Sequence, residues 1–329
     1  MNKERPLLIV ISSNRNYGWI VPVFLAANSR WADYIIITDQ MSTDGSREMY
    51  TKYPNVIVVD DKEYGFKENT RARMAFEKGR EIAAGRDAIY FALDIDEILP
   101  ANWQNTEDGK RVLSSRPGDM FGLRWANIQP DNSTYLLEPN YMYKIFYDNG
   151  MDWQVCKSEL HAPHLPYSSW DIEPTPITDF PNIHFGHYNK KWRRYNAKYY
   201  GVLDVHQKRS KSVVSINRGY YYPDSVKLPS YSIKTEWLEF DFDVFEYIDL
   251  SVKPQGLFLI KELIDLDGID KFRGVDIWDE EFCEELGVKD PRTFAWKILH
   301  YYLSKTQPYR YTFIIRCIDK FLKIITKQK

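Results

Sequence analysis

Ala88-Ile-Tyr-Phe-Ala-Leu-Asp-Ile-Asp-Glu-Ile-Leu-Pro100 is the stretch from which the fold is read. An apolar, aromatic run from Ala88 to Leu93 ends abruptly in three carboxylates, Asp94, Asp96 and Glu97. The run is short and lies between Arg86-Asp87 and Pro100, which predicts a buried strand. Residues two apart in an extended chain point to one side. Asp94 and Asp96 are therefore expected to face one point beyond the strand's carboxyl end, the edge where open α/β sheets bind ligands. Two carboxylates held together there require a cation or a hydrogen-bond network. A hard divalent ion, Mg2+ or Mn2+, shared with a phosphate-bearing ligand is the simplest occupant. Taken alone, Asp-x-Asp is more often a solvated turn than a metal site, so its meaning depends on the surrounding chain.

On the amino-terminal side, Leu7 to Ile11, Tyr34 to Thr38 and Val56 to Val59 read as further buried strands. Between them, Trp19 to Arg30 and Asn69 to Ala84 carry helical apolar spacing, and Ser42 or Asp44 suits the cap of a helix after the second strand. Short apolar strands alternating with helices predict an α/β fold, a mainly parallel sheet covered on both faces. Asp39, Asp60 and Asp94 each close a strand, so several carboxylates gather on one sheet edge.

Two segments carry a family resemblance. Asp39-Gln-Met-Ser-Thr-Asp-Gly-Ser46 resembles the D-D-G-S-T-D-G-S segment of family-2 glycosyltransferases, and Leu93-Asp-Ile-Asp-Glu-Ile-Leu-Pro100 resembles their L-D-x-D-D/E-x-x-x-P segment. Ala72-Arg73 stands where that family often has A-R-N, with Met74 in place of the Asn and Gln40-Met41 in place of the acidic-Gly pair. The resemblance covers the chain to about residue 105. It implies a GT-A fold and an inverting, metal-dependent transfer of sugar from a nucleotide-diphosphate donor, first a uridine diphosphate sugar, to a glycan or lipid-linked glycan in polysaccharide biosynthesis. By the same resemblance Asp39 would accept from the nucleobase, and Ser42 and Asp44 would shape the loop beside it. Arg73 would lie near the nucleotide, Asp94 would contact the ribose or the metal shell, and Asp96 would ligate Mn2+ or Mg2+.

From Phe121 the chain changes character: Phe121 to Ile128 and Asn140 to Tyr147 are aromatic-rich strands, and Trp125, Tyr143 and Trp153 are candidate sugar platforms as well as core residues. Five of the six histidines fall between residues 161 and 206. A zinc site is one reading. The other, similar to glycosyltransferases of this fold, is a histidine added to the Asp-x-Asp cation: His187, with His184 as the alternative. Lys190 to Lys198 carries five cations and no acid, which suits either a diphosphate or a solvated helix face. An inverting transfer needs a carboxylate to take the acceptor proton; Glu159 is the candidate base, with Asp152 second and Asp179 also downstream of the acidic motif.

Composition bounds the rest. At 329 residues and 44% apolar content the chain supports a large core, and a net charge of −2 gives no reason to expect nucleic-acid binding. Three dispersed cysteines, no long apolar span and an N-terminal apolar run too short for a signal-peptide core point to a cytoplasmic protein. The expected domains are residues 1–215, catalytic, with a nucleotide-sugar half to 105 and an acceptor half from 106, followed by a mostly helical accessory region over 216–329. Within that region Trp278 to Leu286 and Pro291 to Ser304 read as helices. Tyr309 to Lys329 reads as an amphipathic helix with Ile314, Ile318, Phe321 and Ile325 on one face and Arg316, Lys320, Lys323 and Lys327 on another. That pattern suits peripheral contact with the inner face of a membrane, or docking on the catalytic domain. The rival functions are a sugar nucleotidyltransferase, which would want a glycine-rich basic loop near the N-terminus, and a non-catalytic carbohydrate-binding protein.

Overall fold

The computed structural model describes residues 5–63, 65, 67–153, 164–166, 173–207, 212–221 and 228–326. Contacts divide the chain into two compact units, the first made of residues 1–189 and 228–252, the second of 190–227 and 253–329.

The first unit is built on two sheets. β1 (Leu7–Asn14), β2 (Tyr34–Asp39), β3 (Val56–Asp60) and β4 (Ala88–Ala92) are the apolar strands expected from the sequence, with α1 (Val21–Asn28), α2 (Ser46–Tyr50) and α3 (Glu68–Ala83) between them. β5 (Glu97–Ile98) follows the acidic turn and α4 (Glu107–Leu113) follows it. Next come β6 (Met120–Leu123), β7 (Trp125–Ile128), β8 (Thr134–Leu137), β9 (Met142–Tyr147), β10 (Thr175–Pro176), β11 (Asn182–His184) and, late in the chain, β12 (Ser230–Ser232). Among the described residues the larger sheet has the order β10-β6-β9-β4-β1-β2-β3 and the smaller β12-β8-β7-β11-β5. β3, β2, β1 and β4 run parallel; β9 is antiparallel to β4 and to β6, and β10 runs parallel to β6. The result is the expected mixed, mainly parallel α/β sheet.

Alternation along these strands places the core. Leu8, Val10, Ile35, Ile37, Ile89 and Phe91 face one side with Phe24 and Trp103. Leu7, Ile9, Ile11, Ile36, Ala88 and Tyr90 face the other with Ala75 and Phe76 of α3. Burial on both faces is what makes the strands continuous apolar runs, as a parallel sheet requires.

The segment expected as one strand over 121–128 is two. It breaks at Arg124, so that residues 120–123 join the large sheet and 125–128 the small one. The acidic stretch 236–249 folds into turns of the first unit, with Trp237 buried and its carbonyl accepting from Ala101 N–H at 2.9 Å.

The second unit is helical: α5 (Lys190–His206), α6 (Val213–Tyr220), α7 (Gln255–Asp267), α8 (Glu280–Leu286), α9 (Phe294–Thr306) and α10 (Phe313–Ile325). This division differs from the boundary expected near residue 215, because α5 packs on α7 and a Cβ at Gly256 of α7 would lie 2.7 Å from the Tyr195 carbonyl of α5. The α9 helix begins at Phe294, with Thr293 at the N-cap position, rather than at Pro291, since Asp290 accepts from the Arg292 backbone and guanidinium instead of capping. Buried Arg218 of α6 holds the unit together, donating to Asp319 of α10 at 2.7 and 3.0 Å and to the Leu303 carbonyl of α9 at 2.9 Å.

Candidate active site

The large sheet reverses its winding between β1 and β4: β2 and β3 extend from one side of β1, and β4 lies on the other. A crevice outside the carboxyl ends of the strands is expected at such a point. Asn14, Asp39 and Asp60 are lateral partners at that edge, and the β4 turn carries Asp94 and Asp96.

The turn corrects the extended geometry expected for the two carboxylates. Glu97 N–H donates to the Asp94 carbonyl at 2.9 Å, closing a tight turn over 94–97. Asp94 and Asp96 consequently engage different partners. Asp94 meets the Lys144 ammonium at 3.1 Å and His164 Nδ1 at 3.3 Å. Asp96 Oδ2 lies 3.5 Å from His184 Nε2.

The route by which His184 reaches Asp96 is the small sheet. β5 pairs antiparallel with β11, setting Glu97 opposite His184, and β11 pairs parallel with β7, setting His184 beside Asn127. Phe185 N–H then donates to the Asp96 carbonyl at 2.9 Å. Trp125 and Asn127, two apart on β7, present the same face. Trp125 stacks on the His184 ring, centroids 4.7 Å apart, and Asn127 Oδ1 stands 2.6 Å from His184 Nδ1. Asn127 Nδ2 donates to Glu138 at 3.3 Å, which turns its oxygen toward the imidazole. Nδ1 therefore carries the proton and Nε2 is directed at Asp96. Gly186 completes the cradle, since a Cβ there would stand 2.5 Å from His184 Cε1 and 3.3 Å from Asp96 Oδ2. His187 lies alongside, its ring centroid 6.3 Å from that of His184.

Beneath this pair is a buried charge cluster. Glu97 is fully buried, accepting from Asp94 N–H at 2.9 Å, Trp125 Nε1–H at 2.6 Å and Lys144 at 2.8 Å. Burial and the neighbouring Asp94 charge raise the Glu97 carboxyl above its ordinary value. Burial works against the charged form of Asp94 too, but Lys144 and His164 outweigh it and hold Asp94 well below the usual carboxylate range. Burial alone would lower the Lys144 ammonium; Asp94 and Glu97 overcome it and raise it. His164, between Asp94 and Glu68 at the start of α3, is likewise pushed up against the effect of burial, to about 10. His184 is raised despite its burial by Asp96, with Glu97 and Asp94 adding to the effect. The strand-end carboxylates are thus offset in large part by Lys144, His164 and His184, of which the sequence analysis joined only His184, as the alternative to His187, to the acidic turn. Lys144 sits mid-strand in β9, and only the antiparallel pairing of Ile145 with Phe91 brings it to the Asp94 turn.

The nucleotide-side candidates form a second network. Asp39 is fully buried and accepts from Ser42 N–H, Ser42 Oγ, Arg47 and Tyr50 at 2.8, 2.8, 2.9 and 2.8 Å. A carboxylate has about four acceptor positions, and these are filled from within the protein, so Asp39 shapes the loop in place of presenting an open acceptor to a base. Ser42 Oγ in turn accepts from Asn16 N–H at 2.9 Å, and Asp44 accepts from Gly18 N–H at 2.6 Å and from Ser46 N–H at 3.1 Å. The loops after β1 and β2 are therefore one unit. Arg73 is exposed and pairs with Glu77 at 2.6 Å on the surface of α3. Its neighbour Arg71, about 200° around a helix, is the arginine turned to the strand ends, bonded to Asp61 at 3.0 Å and to the Gly65 carbonyl at 2.7 Å.

The remaining candidates are dispersed. Glu159 and His161 lie outside the described residues. Asp152 is exposed and its charge acts on Arg80, which pairs with Asp148 after β9, at the amino end of β4. Asp179 accepts from Asp108 N–H at 3.0 Å as part of a clip on α4. Trp153 packs on Phe76 and donates to Asn69, and Tyr143 packs on the same core, so both are framework residues. Three of the five cations over 190–198 are paired within the helical unit: Lys191 with Glu285, Arg194 with Asp279 and Glu281, and Lys198 with Asp279.

Among the described residues no group of three or more His, Cys, Asp or Glu side chains is disposed to hold a metal ion. The Asp96–His184 pair offers one carboxylate oxygen and one imidazole nitrogen, donor types that suit Mn2+. Their spacing matches two neighbouring ligands each about 2.1 Å from a shared ion.

No protein-family model and no curated protein sequence matches the chain. Solved structures similar to it include a 4-diphosphocytidyl-2C-methyl-D-erythritol synthase, at 10% identity over 53% of this chain and 89% of that one, TM-score 0.35. A nucleoside-diphosphate-sugar pyrophosphorylase from Vibrio cholerae is 9% identical over 54% and 91%, TM-score 0.29. The glycosyltransferase GlyE of Streptococcus pneumoniae is 12% identical over 81% and 64%, TM-score 0.28.

Proposed function

We propose that the chain is a transferase that uses a nucleotide-diphosphate sugar, first a uridine diphosphate sugar, and passes the sugar to a glycan or lipid-linked glycan hydroxyl with inversion. The observation that carries this reading is the Asp96–His184 pair, 3.5 Å apart beside the β4 turn at the switch point of the sheet. Asp96 and His184 would hold Mn2+ or Mg2+. Bound there, the cation offsets charge growing on the departing diphosphate.

The chain's own residues do the rest. Asn127 and Trp125 fix the ring of His184. Lys144 keeps Asp94 ionised, and the Asp94 side chain, 37% exposed, would accept from ribose hydroxyls. The joined loops around Asp39, Ser42 and Asp44 form a wall beside the base. In the transfer the acceptor oxygen attacks the anomeric carbon as the nucleoside diphosphate leaves from the opposite face, and the hydroxyl proton passes to a carboxylate. Glu159 is proposed as that base.

Calorimetric titration with UDP, with and without Mn2+, tests the reading. Metal-dependent binding should weaken by about tenfold or more in Asp96→Ala, as for loss of a metal ligand. UDP binding that ignores both the metal and the substitution overturns it. Diphosphate release from UTP and a sugar 1-phosphate, with none of UDP from UDP-sugars, would assign nucleotidyl transfer instead.

A further inference from the structure

An amphipathic helix in a globular domain ordinarily turns its apolar stripe to the core. In α10 the reverse holds. The residues turned inward are Asp319, buried in its ion pair with Arg218, and the half-buried Ile315, Leu322 and Thr326. At about 100° per residue these four share one arc. The adjoining arc holds Phe313, Ile314, Phe321, Ile324 and Ile325, which are 82, 69, 62, 69 and 62% exposed. The third arc holds Arg316, Lys320 and Lys323, all exposed. Within its own unit the apolar face of this helix is therefore left uncovered. The same unit leaves Phe294, Ile298 and Tyr301 exposed at i, i+4, i+7 along α9, and Tyr309 and Tyr311 in the connector.

We infer that α10 is an interfacial helix by which the second unit lies on an anionic lipid surface. Charge decides the occupant. From Thr293 to Thr326 the chain carries Lys297, which pairs with Asp290, and Lys305, Arg310, Arg316, Lys320 and Lys323, against a single acid, Asp319, which is buried and paired. A second copy of this chain would bring like charge against like charge along α10, an unfavourable pairing. Phe and Ile entering the headgroup boundary beside a lysine and arginine flank is the arrangement by which helices bind anionic bilayers in the plane of the interface. The contact is peripheral, as no described helix is long and apolar enough to cross a membrane.

Co-sedimentation of the full chain with phosphatidylcholine vesicles, and with vesicles carrying about one quarter phosphatidylglycerol, tests this without any nucleotide, so it stands or falls apart from the proposed reaction. Binding is expected to the anionic vesicles only, and to fall as salt is raised. Lys320→Glu/Lys323→Glu should weaken it about tenfold or more, and Phe321→Ser/Ile325→Ser should do the same at low salt. These side chains are exposed, so thermal unfolding of both variants should match the parent. Failure of the parent chain to bind anionic vesicles, or equal binding by parent and both variants, overturns the inference. So does a dimer that Phe321→Ser dissociates, in a chain that ignores vesicles.

Discussion

A methyl group at Gly186 would stand 2.5 and 2.6 Å from His184 Cε1 and Nε2. The imidazole has little room to retreat, being stacked on Trp125 and bonded to Asn127. Gly186→Ala is therefore expected to move the ring off Asp96 and to weaken Mn2+-dependent UDP binding by about tenfold, in line with losing the support of a ligand. Binding equal to the parent in the same titration would separate His184 from the metal. One other residue owes its role to contacts far along the chain. Lys144 joins Asp94 and Glu97, and its removal would leave two carboxylates in a buried site without their cation. Arg71, not Arg73, reaches the strand ends, because one step of two residues on a helix changes the face.

At the scale of elements, α3 and β4 meet closely at Gly79. Exchanging glycine for alanine inside an exposed helix usually stabilises by about 1 kcal/mol. At Gly79 the sign should reverse: the new Cβ would lie 2.5 Å from Cε1 of Tyr90, a fully buried ring packed on Phe76. Gly79→Ala is expected to cost about 1–3 kcal/mol through overpacking, read from the urea midpoint; a stabilised variant would show that the helix can slide on the sheet. The break at Arg124 matters as much for the site. By sending β6 and β7 to different sheets it frees β7 to pair with β11, and β11 to pair with β5. Those pairings put His184, Asn127 and Glu97 together.

Over the whole molecule, many carboxylates are held ionised by cations, so acid should unfold it. In the helical unit, Asp290 sits beside Arg292 and Lys297; despite the opposing effect of burial its carboxyl is drawn down to about 2. A depressed folded-state value stabilises fully above the ordinary carboxyl range near pH ~4. That contribution is lost as pH falls from there toward 2. Acid titration followed by calorimetry should show less loss over this window in Asp290→Asn, which starts less stable at pH 7; identical acid profiles would remove Asp290 from the balance. The same scale contains the contrast between the units. The first builds a carboxylate-rich sheet edge, and the second presents exposed apolar and basic side chains on α10.

The strands, their parallel order, the helices between them and the gathering of Asp39, Asp60 and Asp94 at one edge were legible in the sequence, because burial on both faces writes itself as short apolar runs and a strand end is a local event. The amphipathic character of α10 was legible for the same reason, since its period is local. Which side of that helix is left exposed was decided by Arg218 drawing Asp319 inward. The site was legible only in part. Asp94, Asp96 and, second to His187, His184 were singled out in the sequence; the turn over 94–97 and the filling of Asp39 by Ser42, Arg47 and Tyr50 are local but leave no periodic pattern, whereas the lysine that holds Asp94 comes from 50 positions away. Local pattern carries no record of such pairings; they exist only once the sheets have closed and each buried charge has found its partner.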